Sequence, residues 1–299
     1  LTMAVGDTVH KAIDETWGEV LVSEGHICDA RFSKSCGGIM EKLYLAPVEI
    51  VDEIIKMGVK KAKNKPVNIF LLGILAGMFI GLAYVGNLTA TQVLGTVDKG
   101  LGKFVGACIF PVGIMLVLFV GGSLFTGNNL VTIAFLDKQI PFKKVILNWI
   151  VVWSGNLVGA VGTAFLLLNT EIYHSHELVA ATINLAKHKA ELTATEGIIS
   201  GFFCNILVAL GVWMTYAGKD LTSKLLASWF PVMLFALCGF QHSVANMYIL
   251  SMAKMLDPSV FGYHEMFKNL LNVSIGNILS GGIFIPVIYY YLYKVNHKH

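Results

Sequence analysis

The sequences GGSLFTGN at residues 121–128 and CGFQHS at residues 238–243 interrupt two long apolar runs of the chain. Glycine and small polar residues weaken a helix at such positions. Broken backbone is tolerated at membrane depth only where protein surrounds it or a water-filled cavity lies beside it. We therefore predict that two membrane helices each break near mid-depth and that the two breaks meet at a pore.

The composition indicates a membrane protein. Of the 299 residues, 55% are hydrophobic and 14% are charged, and the mean hydropathy is +0.67. A soluble domain has roughly 25% charged residues, and a helix of about 20 apolar residues crosses the hydrocarbon core of a bilayer. We expect six membrane spans, at about residues 67–85, 102–136, 143–169, 194–217, 224–255 and 267–293.

Charge and cysteine usage exclude several other classes of protein. The net charge is only +3 and the lysines cluster in short segments, which leaves no broad basic face for nucleic acid. The five cysteines show neither CxxC nor CxxCH spacing, so we expect no disulfide framework and no zinc or haem site. His26, Cys28 and Cys36 lack a fourth ligand at suitable spacing. We expect no metal, no cofactor and no catalytic residue.

Two pairs of similar segments indicate an internal repeat. The sequence GILAGMF at residues 73–79 matches GIISGFF at residues 197–203. An asparagine followed seven residues later by Gly-Asn occurs at residues 148–156 and again at residues 269–277. These glycines and asparagines are also what close helix packing in a membrane requires, because small residues let backbones approach and asparagine bonds across helices.

The repeat unit has three spans, so its second copy must enter the membrane from the opposite face. We therefore predict an all-α fold of two inverted three-helix repeats, at residues 67–170 and 194–293, joined by an extracytoplasmic loop at residues 171–193. Such repeats place a substrate path at their interface near the midplane.

The ends of the chain differ from the spans. Residues 40–66 are expected to include an amphipathic helix at the cytoplasmic membrane surface, because Val48, Val51, Ile55 and Val59 recur at helical spacing. Residues 1–39 are expected to be a leader or tail, non-native or disordered, because Met40 resembles a natural start. Lysines concentrate on one side of the six-span arrangement, which predicts cytoplasmic termini and a cytoplasmic tail at residues 294–299.

His242 is the strongest candidate for a functional residue. Of nine histidines it alone is flanked by long apolar sequence on both sides. An ionisable group inside a membrane indicates a transport or proton site by default, and histidine titrates near neutrality. The alternative is a neutral histidine that bonds across helices.

Thr126 and His242 are expected to stand at the starts of two half-helices. The unpaired amides that follow each of them favour anions. Large apolar side chains near the breaks are candidates for dry constrictions, although they are equally explicable by helix packing. These side chains are Phe110, Ile114, Leu124, Phe125 and Phe235.

These residues resemble the formate/nitrite transporter family, which has a threonine at the break of its second helix and a histidine at the break of its fifth. The similarity runs from about Leu45 to Tyr293. It includes LFTG at residues 124–127, GNLVGA at residues 155–160 and GFQHSVANM at residues 239–247. The resemblance implies an aquaporin-like six-helix protomer, a homopentamer with one pore per protomer, and a multi-pass location in a bacterial-type inner membrane.

The same resemblance implies roles for individual residues. His242 corresponds to the central histidine, Thr126 to the pore threonine, Asn205 to the asparagine of helix four, and Lys189 to the lysine at the pore mouth. The family's hydrophobic gates correspond to the five apolar residues named above.

Two further points follow from the resemblance. Residues 86–91, with Leu88 and Thr89, match an omega loop that folds inward beneath the first span. Many members of the family have glutamate before the central histidine, whereas this chain has Gln241. Loss of that carboxylate should lower the tendency of His242 to hold a proton.

We therefore expect a channel for formate or nitrite, with possible proton coupling and no enzymatic activity. A hydrosulfide channel of the same family is the alternative.

A water or glycerol facilitator would show paired Asn-Pro-Ala boxes, and neither break contains proline. A membrane enzyme or haem protein would need clustered histidines or carboxylates. A purely structural protein would not need two polar breaks at membrane depth. The expected partners are small anions, the lipid bilayer and further copies of the chain.

Overall fold

The structure is a computed structural model that describes residues 21–23, 26–28 and 44–296. The chain divides into two compact units, Leu1–Leu43 and Tyr44–His299.

The first unit contains a short pair of strands. Strands β1 (Leu21–Ser23) and β2 (His26–Cys28) pair antiparallel, with Val22 opposite Ile27. The rest of the predicted leader, including Cys36, lies outside the described residues, as does the end of the predicted tail.

The second unit is helical. Its described helices are α1 (Pro47–Lys63), α2 (Pro66–Thr91), α3 (Leu94–Val97), α4 (Lys99–Gly121), α5 (Phe125–Leu136), α6 (Phe142–Leu168), α7 (His176–Ala190), α8 (Ala194–Ala217), α9 (Leu221–Cys238), α10 (Ser243–Leu256) and α11 (Tyr263–Val295). Within the described residues, six of them are long and apolar enough to cross a membrane, namely α2, α4, α6, α8, α9 and α11. The prediction of an all-α membrane protein is confirmed for this unit.

The two predicted breaks are confirmed, and each one contains a glycine in the left-handed region. Helix α4 ends at Gly121, where φ is +114°, and α9 is followed by Gly239, where φ is +74°. Only glycine adopts such φ values without steric cost. Half-helix α5 starts at Phe125 and half-helix α10 starts at Ser243, and each start lies four residues beyond its glycine. The two breaks therefore have the same local design.

Close helix packing within each repeat depends on the glycines of the repeated motif. A Cβ atom on Gly77 of α2 would lie 2.1 Å from the carbonyl oxygen of Asn156 of α6. A Cβ atom on Gly276 of α11 would lie 2.1 Å from the carbonyl oxygen of Ile198 of α8. Helices α2 and α6 of the first repeat are thus paired in the same way as α8 and α11 of the second.

Helix α1 is the predicted amphipathic segment. Pro47 occupies its first turn, and the Glu49 carboxylate accepts the Ala46 N–H at 2.8 Å. Lysines fill its last turn, where they interact favourably with the helix dipole. Its apolar face packs against α5, α8 and α11 in a buried cluster that includes Ile50, Val51, Ile54, Ile55, Leu130, Ile133, Val212, Trp213 and Ile285.

The structure corrects the prediction of an omega loop at residues 86–91. These residues continue α2 as a regular helix to Thr91. Leu88 is buried in the core and Thr89 is exposed. No proline interrupts the segment, and a single glycine at position 86 costs a helix only about 1 kcal/mol. Burial of Leu88 favours the continued helix.

We expect Gly77→Ala to destabilise the protein. The added methyl group would force α2 away from the α6 backbone, and overpacking of this kind costs about 1–3 kcal/mol or more. The measurement is the thermal midpoint of the purified protein in detergent, which should fall clearly. Gly162→Ala is the control, because a Cβ atom there meets nothing within 4 Å. An equal midpoint for both variants would contradict the packing account.

Candidate functional site

The starts of half-helices α5 and α10 meet in the buried interior. Thr126 Oγ1 and His242 Nε2 lie 2.9 Å apart, and the two residues are 0% and 3% exposed. His242 precedes α10 as its N-cap, and its Nδ1 accepts the backbone N–H of Ala245 at 3.1 Å. A neutral imidazole whose Nδ1 accepts carries its proton on Nε2, which then donates to Thr126. The ring of Phe235 stacks on the imidazole, with centroids 5.8 Å apart. The histidine is therefore held in one orientation.

Buried Asn156 completes the backbone hydrogen bonds of the first break. Its Oδ1 accepts the N–H of Phe125, the first residue of α5, at 2.9 Å. Its Nδ2 donates to the carbonyl oxygen of Ser123 at 2.9 Å and to that of Gly73 in α2 at 2.8 Å. One side chain thus ties the break to the two long helices of the first repeat.

Buried Asn277 does the same for the second break. Its Oδ1 accepts the N–H of Ser243, the first residue of α10, at 3.1 Å. Its Nδ2 donates to the carbonyl oxygens of Gln241 at 3.2 Å and of Gly201 in α8 at 2.8 Å. The asparagines that mark the sequence repeat therefore perform the same task in both halves.

A cavity of about 510 Å³, which we call the Lys189 cavity, opens beside the second break. The side of the cavity nearest the break contains Gln241, His242 and Phe235. Its basic lining residues are Lys99, Lys103, His188, Lys189 and His242. No carboxylate belongs to the lining among the described residues. The cavity is therefore suited to anions.

A second cavity of about 520 Å³, which we call the Lys61 cavity, opens beside the first break. It is bounded by α1, by residues 121–123 and by Asn148 of α6. Its charged lining residues are Glu53, Lys56, Lys60 and Lys61. Lys56 is paired with Glu53 at 2.7 Å, so Lys60 and Lys61 contribute most of the positive charge.

A central cavity of about 10 Å³ lies against His242. This is about the space needed to hold one water molecule. Apart from His242 its lining is apolar, and it consists of Ile80, Phe110, Ile114, Leu124, Val208, Val232 and Phe235. Phe110 and Phe235 also line the Lys189 cavity, and their rings meet edge to face with centroids 5.7 Å apart.

Lys189 belongs to a buried polar network. Its Nζ donates to Gln241 Oε1 at 2.8 Å, and Asn246 Nδ2 donates to the same oxygen at 3.0 Å. Asn269 accepts from Asn246 and donates to the Lys189 carbonyl oxygen at 2.7 Å. Burial lowers the pKa of the Lys189 ammonium to about 8, because desolvation disfavours its charged form.

Lys61 has a matching network that sequence reasoning missed. Its Nζ donates to Asn128 Oδ1, and Asn128 Nδ2 donates to Asn148 Oδ1 at 2.9 Å. Asn148 Nδ2 lies 3.5 Å from the Lys61 carbonyl oxygen. Burial lowers the pKa of Lys61 to about 8 as well. A signal was present in the sequence, since Asn128 and Asn148 occupy the repeat positions of Asn246 and Asn269.

The structure brings most of the predicted site residues together. Seven line the Lys189 cavity or the central cavity, and Thr126 contacts one of these seven, His242. Four others, Phe125, Asn205, Leu88 and Thr89, line neither cavity. Phe125 does not line the central cavity, because its side chain lies in an apolar groove with Trp149 and Trp153. Asn205 lines none of the three cavities, and its Nδ2 donates to the Asn277 carbonyl oxygen at 2.7 Å. Asn205 therefore supports the asparagine that holds the second break.

The described residues contain no group of three or more histidine, cysteine, aspartate or glutamate side chains arranged to hold a metal ion. The groups around the two breaks are instead cations and hydrogen-bond donors, which suit an anion. The Lys189 cavity shares Phe110, Phe235 and His242 with the small apolar space, and the Thr126 hydroxyl contacts that histidine. The Lys61 cavity lies beside the first break. The amino-terminal ends of α5 and α10 add positive helix dipoles at the two breaks.

Comparison with known proteins agrees with this arrangement. The family model described as Formate/nitrite transporter matches residues 48–291. The formate channel FocA of Haemophilus influenzae is 34% identical over 282 residues, which cover 86% of this chain and 98% of that protein.

Two solved structures are similar to this chain. A structure described as an FNT family ion channel superposes with a TM-score of 0.75 at 27% identity, covering 81% of this chain and 98% of its own. A pentameric formate channel with formate bound has a TM-score of 0.68 at 30% identity, covering 76% of this chain and 97% of its own.

We expect Asn277→Ala to lower both the stability of the protein and the rate of anion flux. The substitution removes the side-chain partner of the Ser243 N–H and of the Gln241 carbonyl oxygen, at a cost of about 1–3 kcal/mol for each buried group. The thermal midpoint in detergent and the rate of anion flux in proteoliposomes should both fall. Asn169→Ala is the control, because Asn169 is exposed at the end of α6. Wild-type stability of Asn277→Ala would contradict this account of the break.

Proposed function

We propose that this chain, which belongs to the formate/nitrite transporter family, conducts small monovalent anions through its own pore, with formate as the main substrate and nitrite as the next. The observation that carries the proposal is the Thr126–His242 contact beside a small apolar cavity that lies against the Lys189 cavity. The similar proteins named as formate channels support formate in particular.

Capture of the anion is the first step. Lys189 in one cavity and Lys61 in the other hold positive charge close to the path. A unit charge attracts an anion at 4 Å by about 4 kcal/mol where the effective dielectric constant is near 20. The lysines therefore concentrate anions at both mouths without binding them irreversibly.

Passage between the cavities is the difficult step. Moving an isolated anion into an apolar space costs tens of kcal/mol by a Born estimate. The positive ends of the α5 and α10 helix dipoles offset part of this cost. The Thr126 hydroxyl adds a hydrogen-bond donor, because its oxygen accepts from His242 Nε2–H and its own hydrogen is left for the anion. Phe110 and Phe235 form the constriction on the Lys189 side, and Ile114 and Leu124 form the one on the other side.

Proton sharing removes the remaining cost. A proton supplied through water in the cavities converts the anion to its neutral acid, which crosses the apolar space without the Born penalty. His242 takes part as a hydrogen-bond donor and not as the source of this proton, because its Nδ1 is occupied by the Ala245 N–H and its single ring proton is on Nε2, which faces Thr126. Asn205 supports the site through Asn277.

Assembly and topology complete the proposal. We infer a homopentamer in a bacterial-type inner membrane, since a solved relative is described as pentameric. Both termini lie in the cytoplasm, as the lysine distribution indicates. The Lys61 cavity then faces the cytoplasm and the Lys189 cavity faces outward.

We expect proteoliposomes with the wild-type protein to take up formate and nitrite, and His242→Ala and Thr126→Ala to show at least a tenfold slower flux or an altered pH dependence. Each substitution removes a hydrogen-bond donor at the centre of the path. The measurement is stopped-flow uptake of formate, nitrite and hydrosulfide by the same vesicles. His264→Ala, at an exposed histidine, is the control.

Wild-type flux and pH response in both central variants would reject these two roles. Uptake of glycerol by the wild type, without uptake of any of the three anions, would reject the proposed function in favour of a glycerol facilitator.

We expect Phe235→Leu to relax the size limit of the path. A smaller side chain at this constriction should raise the flux of acetate relative to formate several-fold, because the neighbouring central cavity holds only about 10 Å³. The measurement is the ratio of the two uptake rates. Phe230→Leu is the control on the same helix, since Phe230 is 58% exposed. An unchanged ratio would place the size limit elsewhere.

A further inference from the structure

We propose that Gln241 sets the charge of the Lys189 cavity. Lys189 is held there by a neutral amide, so its positive charge is uncompensated, and anion capture from this side follows the protonation of that one lysine. This inference rests on the proposed function and names the residue that controls the first step.

The lysine is fixed by its amide partner. Lys189 and Gln241 are each 6% exposed, and the Nζ to Oε1 distance is 2.8 Å. A cation held this far from bulk water normally has a carboxylate partner, because an unpaired buried charge is costly. Here the acceptor carries only a partial negative charge.

The surroundings of Gln241 match an amide and not a carboxylate. Its Oε1 accepts from Lys189 and from Asn246, while its Nε2 donates to the Gly239 carbonyl oxygen at 3.2 Å. A glutamate would direct a carboxylate oxygen at that carbonyl, and two acceptors would then face each other. The Gly239 contact therefore requires glutamine, whereas the two contacts of Oε1 would be made by either side chain.

No carboxylate among the described lining residues compensates Lys189 from another element. Within its cavity it faces Tyr84 of α2, Lys99 and Lys103 of α4, His188 of α7 and His242 beside α10. Cys204 of α8 also interacts with its charge. The other elements packed against α7 carry charged and titratable groups that do not line the cavity, namely Glu171, Tyr173 and His174 of the turn after α6, Tyr248 and Lys254 of α10, and His264, Glu265 and Lys268 of α11.

The protonation of Lys189 changes within an accessible pH range. Burial lowers its pKa to about 8, so the cavity is positive below this pH and loses that charge above it. Lys61 has the same chemistry at the opposite mouth, where its acceptor is the amide oxygen of Asn128.

The test compares formate uptake by the wild type and by Gln241→Glu in proteoliposomes, at external pH 7 and pH 9.5. A glutamate would pair with Lys189 and compensate the charge of that lysine at both pH values. The wild type should therefore be faster by on the order of tenfold at pH 7, and the two rates should converge at pH 9.5. Taking the ratio of rates removes the effect of pH on the substrate itself.

Two further variants keep the test decisive. Lys189→Met removes the charge directly and should show the same loss at pH 7 and the same convergence, even where Gln241→Glu fails to assemble. Gln139→Glu makes the same chemical change at an exposed site and should match the wild type at both pH values. A ratio of wild-type to variant uptake rates that is close to one at pH 7, or equal at both pH values, would overturn this inference and leave the proposed function standing. Absence of formate uptake by the wild type would overturn it together with the proposed function.

Discussion

A helix that ends inside a membrane leaves backbone groups that water cannot reach, and the two breaks of this protein exist because two asparagines satisfy those groups. Asn156 and Asn277 each accept the first N–H of a half-helix and donate to two carbonyl oxygens. An unpaired group at this depth costs several kcal/mol. Without these side chains the continuous helix would be the more stable state, and no half-helix end would point into the interior.

The relative sizes of the electrostatic effects explain why the centre is built from hydrogen-bond donors. A lysine near a cavity supplies only a few kcal/mol of attraction, whereas an unsolvated anion in an apolar space costs tens of kcal/mol. Lysines at the two mouths therefore concentrate the substrate but cannot carry it through. The oriented His242 imidazole lines the apolar central cavity, where this deficit is largest, and the Thr126 hydroxyl contacts it.

Much of the fold could be predicted from the sequence, because apolar runs and glycine-containing breaks are local signals. The breaks at residues 121–124 and 239–242 and the meeting of Thr126 with His242 were expected on this basis. Local signals do not specify which way a side chain faces. The sequence could therefore not distinguish Leu124, which lines the central cavity, from Phe125, which lies in an apolar groove.

The remaining differences also have physical reasons. Residues 86–91 were assigned to a loop by resemblance, but their packing keeps them helical. Asn205 was assigned to the path by resemblance; its Nδ2 donates to the Asn277 carbonyl oxygen, and its part in the path stays a prediction. Lys61 was hidden in a lysine-rich amphipathic helix, where charge normally indicates contact with solvent or headgroups. Its burial depends on α1 packing beneath the bundle, which is a tertiary effect.

The two mouths carry the same chemistry on oppositely oriented halves, with a lysine, an amide acceptor and an asparagine at each. A conduit that presents the same obstacles in both directions has little basis for rectification. Under the proposed function, net flow would be set by the concentration gradients on the two sides, and one protein would serve both export and import.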